Sequence, residues 1–254
     1  MLNIVKESST RIKTALVLFL VFILVSYIDT LFFIWLFFGF FLIAGVSESK
    51  KLFKIEDNYS IYQYTGIIWI VAYFYPNPME LTFIALIIMA SLIAYTKKTN
   101  PKIILPMLYP LASFLFLLSL YTEYGIQVIW WLLFIVAGAD TGAYFVGKSI
   151  GKTKFCETSP NKTIEGVLGG VLIAALLGTY FADDQLSGFA AVTISIIVAF
   201  ASVFGDLFES YLKREAGVKD SGNILPGHGG VLDRTDGYLF GAIAMLILLR
   251  MVMW

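Results

Sequence analysis

The chain has very little of the side-chain chemistry on which many soluble enzymes rely, with one cysteine and one histidine among 254 residues. Cys156 has no partner for a disulfide within the chain, so we expect a free, reduced thiol. His228 alone cannot build a zinc site. The sequence also lacks a Walker loop, a nucleophile elbow and a dinucleotide glycine fingerprint. These absences argue against zinc enzymes, P-loop NTPases and α/β-hydrolases.

Charged residues are scarce as well, at 14% of the chain, whereas hydrophobic residues make up 59% and the mean hydropathy is +0.82. A soluble domain of this size is far less apolar. We predict an all-α polytopic membrane protein with about nine transmembrane helices and a cytoplasm-facing polar site between the C-terminal helices. Because a second apolar run follows the first without a small-residue cleavage site, we expect a span there and no signal peptide. The predicted spans are 14–28, 30–46, 61–75, 79–95, 102–121, 126–146, 164–181, 188–204 and 237–254.

Lysine and arginine are distributed unevenly between the two sides of these spans. Seventeen of the 18 cations fall in alternate connections, and only Arg250 lies near the other side. The connections on that other side contain no lysine or arginine: 27–30, 76–80, 122–125 and 182–187. The positive-inside rule therefore predicts a multi-pass protein of the cell membrane whose N-terminus and polar site face the cytoplasm.

Intramembrane charge divides the chain into two regions. Residues 1–121 hold five predicted spans with few charges, and we interpret them as a transmembrane scaffold. Residues 122–254 form the predicted catalytic region, with four spans and the cytoplasmic loops 147–163 and 205–236. Asp140 lies inside the sixth span. Such an acid is typical of a functional site, although a structural hydrogen bond to Thr141 or to a neighbouring helix is the alternative.

The segment 206–236 contains ten of the 36 charged residues. Asp206 and Glu209 share one face if this segment is helical. With Asp233 and Asp236 from the next element, they offer the hard oxygen ligands that Mg²⁺ prefers. A solvated loop with a Glu209–Lys213 ion pair is the alternative. This alternative does not explain why Asp206 and Asp236 adjoin apolar spans.

Two further features favour a ligand rich in phosphate. The glycines of the 226–230 run, Pro-Gly-His-Gly-Gly, allow backbone N–H groups to approach an anion. Lys162 precedes Thr163, which we predict to be the N-cap of the seventh span, and helix N-termini attract phosphates. For Lys148 and Lys152, membrane anchoring is the simpler interpretation. Acids, cations and a predicted divalent metal in one region suit phosphoryl or nucleotidyl transfer.

Three segments in fixed order resemble the signature of the phosphatidate cytidylyltransferase (CDP-diacylglycerol synthase) family: SYLKR at 210–214, KDSG at 219–222 and LPGHGGVLDRTD at 225–236. The blocks DTGAY at 140–144 and SPNKTIEG at 159–166 are similar to that family too, although Asn161 and Ile164 stand where it often has Lys and Trp. The resemblance implies the reaction of CTP with phosphatidate to give CDP-diacylglycerol and pyrophosphate. It also implies a requirement for Mg²⁺, commonly help from K⁺, metal-holding roles for Asp206 and Asp233, and a homodimer.

On this basis the expected partners are CTP, phosphatidate, the lipid bilayer and a second copy of the chain, with no nucleic acid. The predicted catalytic residues are Asp140, Asp206, Asp233 and Asp236. The predicted substrate-binding residues are Lys162, Thr163, Glu209, Lys213, Arg214, Lys219, Asp220, His228, Gly229, Gly230 and Arg234. Two alternatives remain open. An ion-coupled transporter would explain the buried acids but not the long polar segment, and a lipid kinase could use CTP to phosphorylate a polyprenol-like alcohol.

Overall fold

The computed structural model describes residues 2–55, 59–97, 100–182 and 186–253, with side chains described from residue 10 except at Tyr59. Within them the chain is helical, and its only β-type pairing is two isolated bridges, Lys154 with Thr163 and Leu225 with Gly229. The α-helices are α1 Leu2–Ile28, α2 Leu31–Leu52, α3 Tyr59–Phe74, α4 Leu81–Thr96, α5 Ile104–Pro106, α6 Ser113–Tyr124, α7 Ile126–Ile150, α8 Ile164–Tyr180, α9 Gly188–Ala216 and α10 Leu232–Val252. Short 3-10 turns at Pro78–Glu80 and Pro101–Ile103 and a π-helical stretch at Met107–Ala112 complete the helical segments.

Seven helical segments in the described residues are long and apolar enough to cross a membrane. They are Thr10–Ile28, Leu31–Leu52, Pro78–Thr96, Pro101–Tyr124, Ile126–Ile150, Gly188–Ala216 and Leu232–Val252. Helix α8 is apolar but has 17 residues, about 26 Å at ~1.5 Å per residue, slightly less than the ~30 Å of a hydrocarbon core. The prediction of an all-α polytopic membrane protein is confirmed. The count of nine spans and the cytoplasmic orientation stay predictions, and residues 183–185 of one cation-free connection lie outside the described part of the chain.

The helices extend beyond the apolar runs that predicted them. Helix α9 continues to Ala216, past the predicted end at 204, and α10 begins at Leu232, before the predicted start at 237. The predicted loop 205–236 is therefore wrong in its bounds, and the connection between these helices is 217–231. An apolar run marks only the part of a helix suited to lipid. The backbone hydrogen bonds of the helix continue through polar residues, here with an i, i+4 ion pair between Glu209 and Lys213.

The chain forms two compact units: Met1–Leu118 with Glu215–Arg234, and Ser119–Arg214 with Thr235–Trp254. The predicted division at residue 121 assigned all of 122–254 to one catalytic region. In the structure the segment 215–234 belongs instead to the first unit. The segment belongs to the first unit because Ser221 and the start of α10 are hydrogen-bonded to Glu48 of α2.

In the first unit, α2 and α3 are joined by a reciprocal pair of indoles. Trp35 Nε1 donates to the Trp69 carbonyl oxygen at 2.7 Å, and Trp69 Nε1 donates to the Trp35 carbonyl oxygen at 3.3 Å. The two rings are stacked, with centroids 6.4 Å apart and planes 12° apart. Each indole N–H thus has an acceptor in an apolar layer, where an unpaired donor would be costly.

In the second unit, α7 and α8 pack backbone against backbone. A Cβ placed on Gly142 would lie 2.9 Å from Gly170 Cα. A Cβ placed on Gly170 would lie 3.0 Å from Ala143 N and would overlap the Ala139 carbonyl oxygen. Small residues at helix interfaces allow this close approach in membrane proteins. The contact fixes the first turns of α8 against the middle of α7.

We expect Gly170→Ala to destabilise the protein by about 1–3 kcal/mol, because the added methyl group has no space between the two backbones. The matched control is Gly66→Ala in α3, where an added Cβ meets nothing within 4 Å and helix propensity should rise slightly. Thermal unfolding in detergent measures both variants. Equal melting temperatures for Gly170→Ala and wild type would contradict the close packing.

Candidate active site

A cavity of about 500 Å³ opens in the second unit, a volume within the range of about 300–1,000 Å³ typical of small-molecule sites. Residues of α7, α8, α9 and the 151–163 segment line it, among them Asp140, Lys148, Lys162, Thr163 and Asp206. Four residues predicted from the sequence therefore meet here: Asp140, Lys162, Thr163 and Asp206.

An ion pair between Lys162 and Asp206 links two walls of this cavity. Lys162 Nζ contacts Asp206 Oδ2 and lies 3.5 Å from the Val203 carbonyl oxygen. The Ser210 hydroxyl donates to Asp206 Oδ1 at 3.4 Å. The side chains of the pair keep 22% and 35% of their exposure. A partly exposed pair contributes little to stability, so both groups remain available to an incoming ligand.

The 151–163 segment holds Lys162 in place through local hydrogen bonds. The prediction that Thr163 caps α8 is confirmed, since its side chain accepts from Gly166 N at 3.1 Å. Glu165 accepts from Lys152 N at 3.1 Å and from the Thr153 hydroxyl at 2.8 Å. Phe155 N donates to the Lys162 carbonyl oxygen at 2.9 Å. The ammonium group that reaches Asp206 is therefore carried by a well-braced backbone.

Glu209 and Lys213 form the i, i+4 ion pair that the sequence suggested as an alternative to a site. Lys213 Nζ lies 3.5 Å from Glu209 Oε2, and the glutamate side chain is fully buried. A buried carboxylate is tolerated when a cation faces it. Arg214, the next residue, is exposed near the end of α9. Contact of any of these three with a substrate stays a prediction.

Asp236 lies where α9 and α10 approach closely. Its Oδ1 accepts from Gly237 N at 2.9 Å. A Cβ on Gly205, the residue before Asp206, would overlap the Asp236 carbonyl oxygen, and the rings of Phe208 and Phe240 lie 5.5 Å apart. This predicted catalytic residue is thus beside the turn of α9 that carries Asp206.

In the first unit, Asp233 organises the start of α10. Its Oδ2 accepts from Ser221 N at 2.9 Å, from Gly230 N at 2.8 Å and from the Ser221 hydroxyl at 3.0 Å. A carboxylate in the first turn also suits the helix dipole. The N–H of Gly230, which the sequence suggested for an anion, donates instead to Asp233. The predicted contact of Gly229 with a substrate stays a prediction.

Glu48 of α2 is a residue that the sequence reasoning missed. It retains only 1% of its exposure. It accepts from Val231 N at 2.9 Å and from Leu232 N at 2.8 Å, and the Ser221 hydroxyl, whose single hydrogen it shares with Asp233, lies 3.0 Å from it. One signal was available, since Glu48 lies two residues after the end of the second apolar run at 46 and is the first carboxylate after it. Its partners lie far along the chain, so no local pattern identified them.

Arg234 braces the loop that contains His228. Its Nε and Nη2 donate to the His228 carbonyl oxygen at 3.0 and 2.8 Å. This contact gives the guanidinium a structural role, and its predicted contact with a phosphate stays a prediction. Lys219 and Asp220 are exposed, and Asp220 lines a second cavity of about 340 Å³.

The described residues contain no group of three or more His, Cys, Asp or Glu side chains arranged to hold a metal ion. Magnesium usually needs only one or two protein carboxylates, with water and substrate oxygens as its other ligands. The oxygens of Asp206 and Ser210 fit such a cation, and the ammonium group of Lys162 already occupies a position for positive charge beside them. Asp206 and Asp233, the two predicted ligands, belong to different units, and their joint role stays a prediction.

Comparison with known proteins assigns the chain to a family. The chain matches the model described as the Cytidylyltransferase family over residues 9–252. The chain belongs to the cytidylyltransferase family. It is 47% identical over 246 residues to a phosphatidate cytidylyltransferase of Helicobacter pylori, and this alignment covers 96% of this chain and 92% of that relative. It is 38% identical over 200 residues to the Bacillus subtilis phosphatidate cytidylyltransferase, covering 74% and 71% of the two chains.

Membership of the cytidylyltransferase family confirms the resemblance inferred from the motifs. The match also includes the N-terminal helices, where the sequence motifs carried no signal beyond composition. Helix α2 and its Glu48 therefore lie within the part of the chain that the family model describes.

The loop that contains His228 allows a test of the surroundings of this residue by pH. Burial lowers the pKa of His228, and the positive charges of Arg234 and Arg11 lower it further. A histidine with a depressed folded pKa stabilises the fold above its unfolded pKa of about 6.5, and this contribution is lost as the pH falls through the folded value. We expect the melting temperature to fall more steeply between about pH 7.5 and 5 in wild type than in His228→Gln. Identical slopes would contradict the lowered pKa of this half-buried imidazole.

Proposed function

We propose that this chain transfers CMP from CTP to phosphatidate, producing CDP-diacylglycerol and pyrophosphate for phospholipid biosynthesis. The observation that carries the proposal is the meeting of Asp140, Lys162 and Asp206 around one cavity, at the N-terminus of α8, in a chain of the cytidylyltransferase family. Relatives named phosphatidate cytidylyltransferase that align with nearly its whole length support it.

In the proposed reaction, a phosphate oxygen of phosphatidate forms a bond to the α-phosphorus of CTP. The bond from that phosphorus to the oxygen bridging it to the β-phosphorus breaks, and pyrophosphate leaves. The lipid phosphate is already ionised near neutral pH, so it needs little help from a base. The main obstacle is repulsion between two anions, and catalysis consists largely of positioning and charge neutralisation.

The residues of the cavity suit this task. Lys162 carries a cation to the capped start of α8, where phosphates are favoured. Asp206 contacts the ammonium group of Lys162 and has oxygens suited to a metal ion. Mg²⁺ bound at Asp206 would neutralise phosphate charge, and a second metal-holding role for Asp233 rests on the family resemblance alone. A contribution from K⁺ rests on the family resemblance alone.

Apolar surface beside the cavity suits the acyl chains of a lipid. Tyr144 lines the cavity and is 59% exposed, and Phe145 next to it is 61% exposed. Leu168 of α8 is 57% exposed. A phosphatidate lying against these side chains would direct its phosphate towards Lys162, while CTP would enter from water. The cytoplasmic orientation and the homodimer are part of the same proposal and rest on the lysine distribution and the resemblance.

The direct experiment incubates detergent-purified protein with CTP, phosphatidate and Mg²⁺. The expected result is stoichiometric release of pyrophosphate and CDP-diacylglycerol, dependent on both substrates. A CTP-dependent lipid kinase would instead release CDP and leave a phosphorylated lipid. Absence of both reactions, together with ion flux in proteoliposomes, would favour the transporter.

We expect Asp206→Asn and Asp233→Asn each to abolish turnover while the protein remains folded in detergent. A carboxamide keeps the shape of the side chain but loses the charge that a magnesium ligand supplies. The control is Glu157→Gln, which removes an exposed carboxylate from the 151–163 segment. Near-normal turnover of either aspartate variant at ordinary magnesium concentrations would refute the corresponding assignment.

We expect Lys162→Ala to lower kcat/KM by about ten- to a thousand-fold, because a lost charge-assisted contact costs roughly 1.5–3 kcal/mol. Lys152→Ala is the matched control, since this exposed lysine belongs to the same segment and only its backbone N–H contributes to the bracing. Kinetics are normalised to folded protein. If Lys162 only anchors the helix, its variant will show reduced abundance with unchanged kcat/KM.

A further inference from the structure

The carboxylate of Glu48, a residue of α2, caps the start of α10 by accepting hydrogen bonds from its backbone. Both oxygens of Glu48 accept hydrogen bonds, Oε1 from Val231 N at 2.9 Å and Oε2 from Leu232 N at 2.8 Å. The side chain is almost fully buried. Burial of a carboxylate is costly unless its oxygens are hydrogen-bonded, so this residue requires the α10 backbone as its partner.

The arrangement is unusual as a helix cap because of its source. The first N–H groups of a helix have no partner inside the helix, and a side chain just before it commonly accepts from them. Here the acceptor belongs to a helix far away in the sequence. The cap therefore fixes the first turn of α10 to α2, whereas a local cap would leave it free to move with its own loop.

Glu48 is linked to Asp233 through Ser221. The Ser221 hydroxyl lies 3.0 Å from Glu48 Oε2 and 3.0 Å from Asp233 Oδ2. A hydroxyl has one hydrogen to donate and can also accept, and Asp233 N lies 3.3 Å from the same oxygen. The position of Asp233 thus depends on the position of Ser221, which Glu48 helps to fix.

The backbone provides a second link. Gly230 donates to Asp233 Oδ2, and the next two N–H groups donate to Glu48. A Cβ on Gly230 would lie 2.6 Å from Glu48 Oε2 and would overlap the Ser221 hydroxyl. Only glycine allows the chain to pass between the two carboxylates at this distance.

We propose that Glu48 is a positioning residue for the transfer reaction, which sets the location of the Asp233 carboxylate through Ser221 and the 230–232 backbone. It does this without contacting a substrate. Helix α2, predicted as part of a passive scaffold, then contributes to the site. The proposal rests on the proposed function only for the role of Asp233 in the reaction, because the hydrogen-bonded arrangement itself is independent of it.

The test compares Glu48→Gln with wild type and with Ser49→Ala. The carboxamide keeps the shape but places an NH₂ group against a backbone N–H donor, so one bond to α10 is lost. Ser49 is the matched control because it is buried on the same helix and its hydroxyl donates to the Val46 carbonyl oxygen of its own helix at 3.0 Å. We expect kcat of Glu48→Gln to fall about ten- to a hundred-fold, as for other small misplacements of a reacting group. KM for CTP should change little, and the magnesium concentration for half-maximal activity should rise.

Amide hydrogen exchange gives a readout that does not require activity. In protein free of metal and nucleotide, we expect exchange at Val231 and Leu232 to be at least about tenfold faster in Glu48→Gln than in wild type, since exchange reports local opening. Ser49→Ala should exchange as wild type does. Unchanged exchange in Glu48→Gln would overturn the proposed cap.

The kinetic outcomes decide the functional part. Faster exchange with wild-type kcat and magnesium dependence would overturn the positioning role, and an equal loss of kcat in Ser49→Ala would assign the effect to general damage of α2.

Ser221→Ala provides a second variant if Glu48→Gln does not fold. It removes the hydroxyl link but keeps both backbone bonds, so kcat should fall several-fold while exchange at 231–232 stays protected, and wild-type kcat would contradict the proposal. If wild-type protein releases no pyrophosphate, the proposed function fails while the exchange result still tests the cap.

Discussion

Charge near an apolar helix bundle is tolerated only where a partner neutralises it or donates hydrogen bonds to it, and the arrangement of this chain follows from that constraint. Two ion pairs and one carboxylate without a described counterion meet it. Lys162 faces Asp206, and Arg250 Nε donates to Glu123 at 2.9 Å. Glu48 has no counterion among the contacts described for it and is satisfied by backbone N–H groups and a serine hydroxyl. Each pairing ties together elements that are distant in the sequence.

The cavity of the second unit contains charges of both signs, two of which form the ion pair of Lys162 with Asp206. Under the proposed function, a triphosphate must compete with Asp206 for the ammonium group of Lys162. A cation that accompanies the nucleotide would satisfy the carboxylate released in this exchange. Ligand binding then exchanges partners without leaving an isolated charge, which lowers its electrostatic cost. Such an exchange also disfavours binding of a nucleotide without its metal ion.

Local features of the site were predictable from the sequence, whereas features that depend on distant partners were not. The cap by Thr163 and the pair of Glu209 with Lys213 follow from spacing within one helix, and the structure contains both. The ends of α9 and α10 were misplaced because hydropathy marks the lipid-facing part of a helix and not its hydrogen-bonded length. Glu48 was missed because its acceptor role depends on the tertiary approach of residues near 221 and 231. Membership of the family was evident because the signature segments occur in fixed order.

The glycine contact between α7 and α8 has a consequence for how the cavity can change its width. With Gly142 and Gly170 in backbone contact, these two helices can neither slide nor separate without opening a void along their whole interface. They therefore behave as one rigid wall. Because hydrogen bonds from Lys152 and Thr153 to Glu165 also hold the 151–163 segment to α8, a change in the width of the cavity is expected to come from displacement of α9. Asp206 is carried by α9 and Lys162 by the braced segment, so displacement of α9 would also change the distance between these two charges.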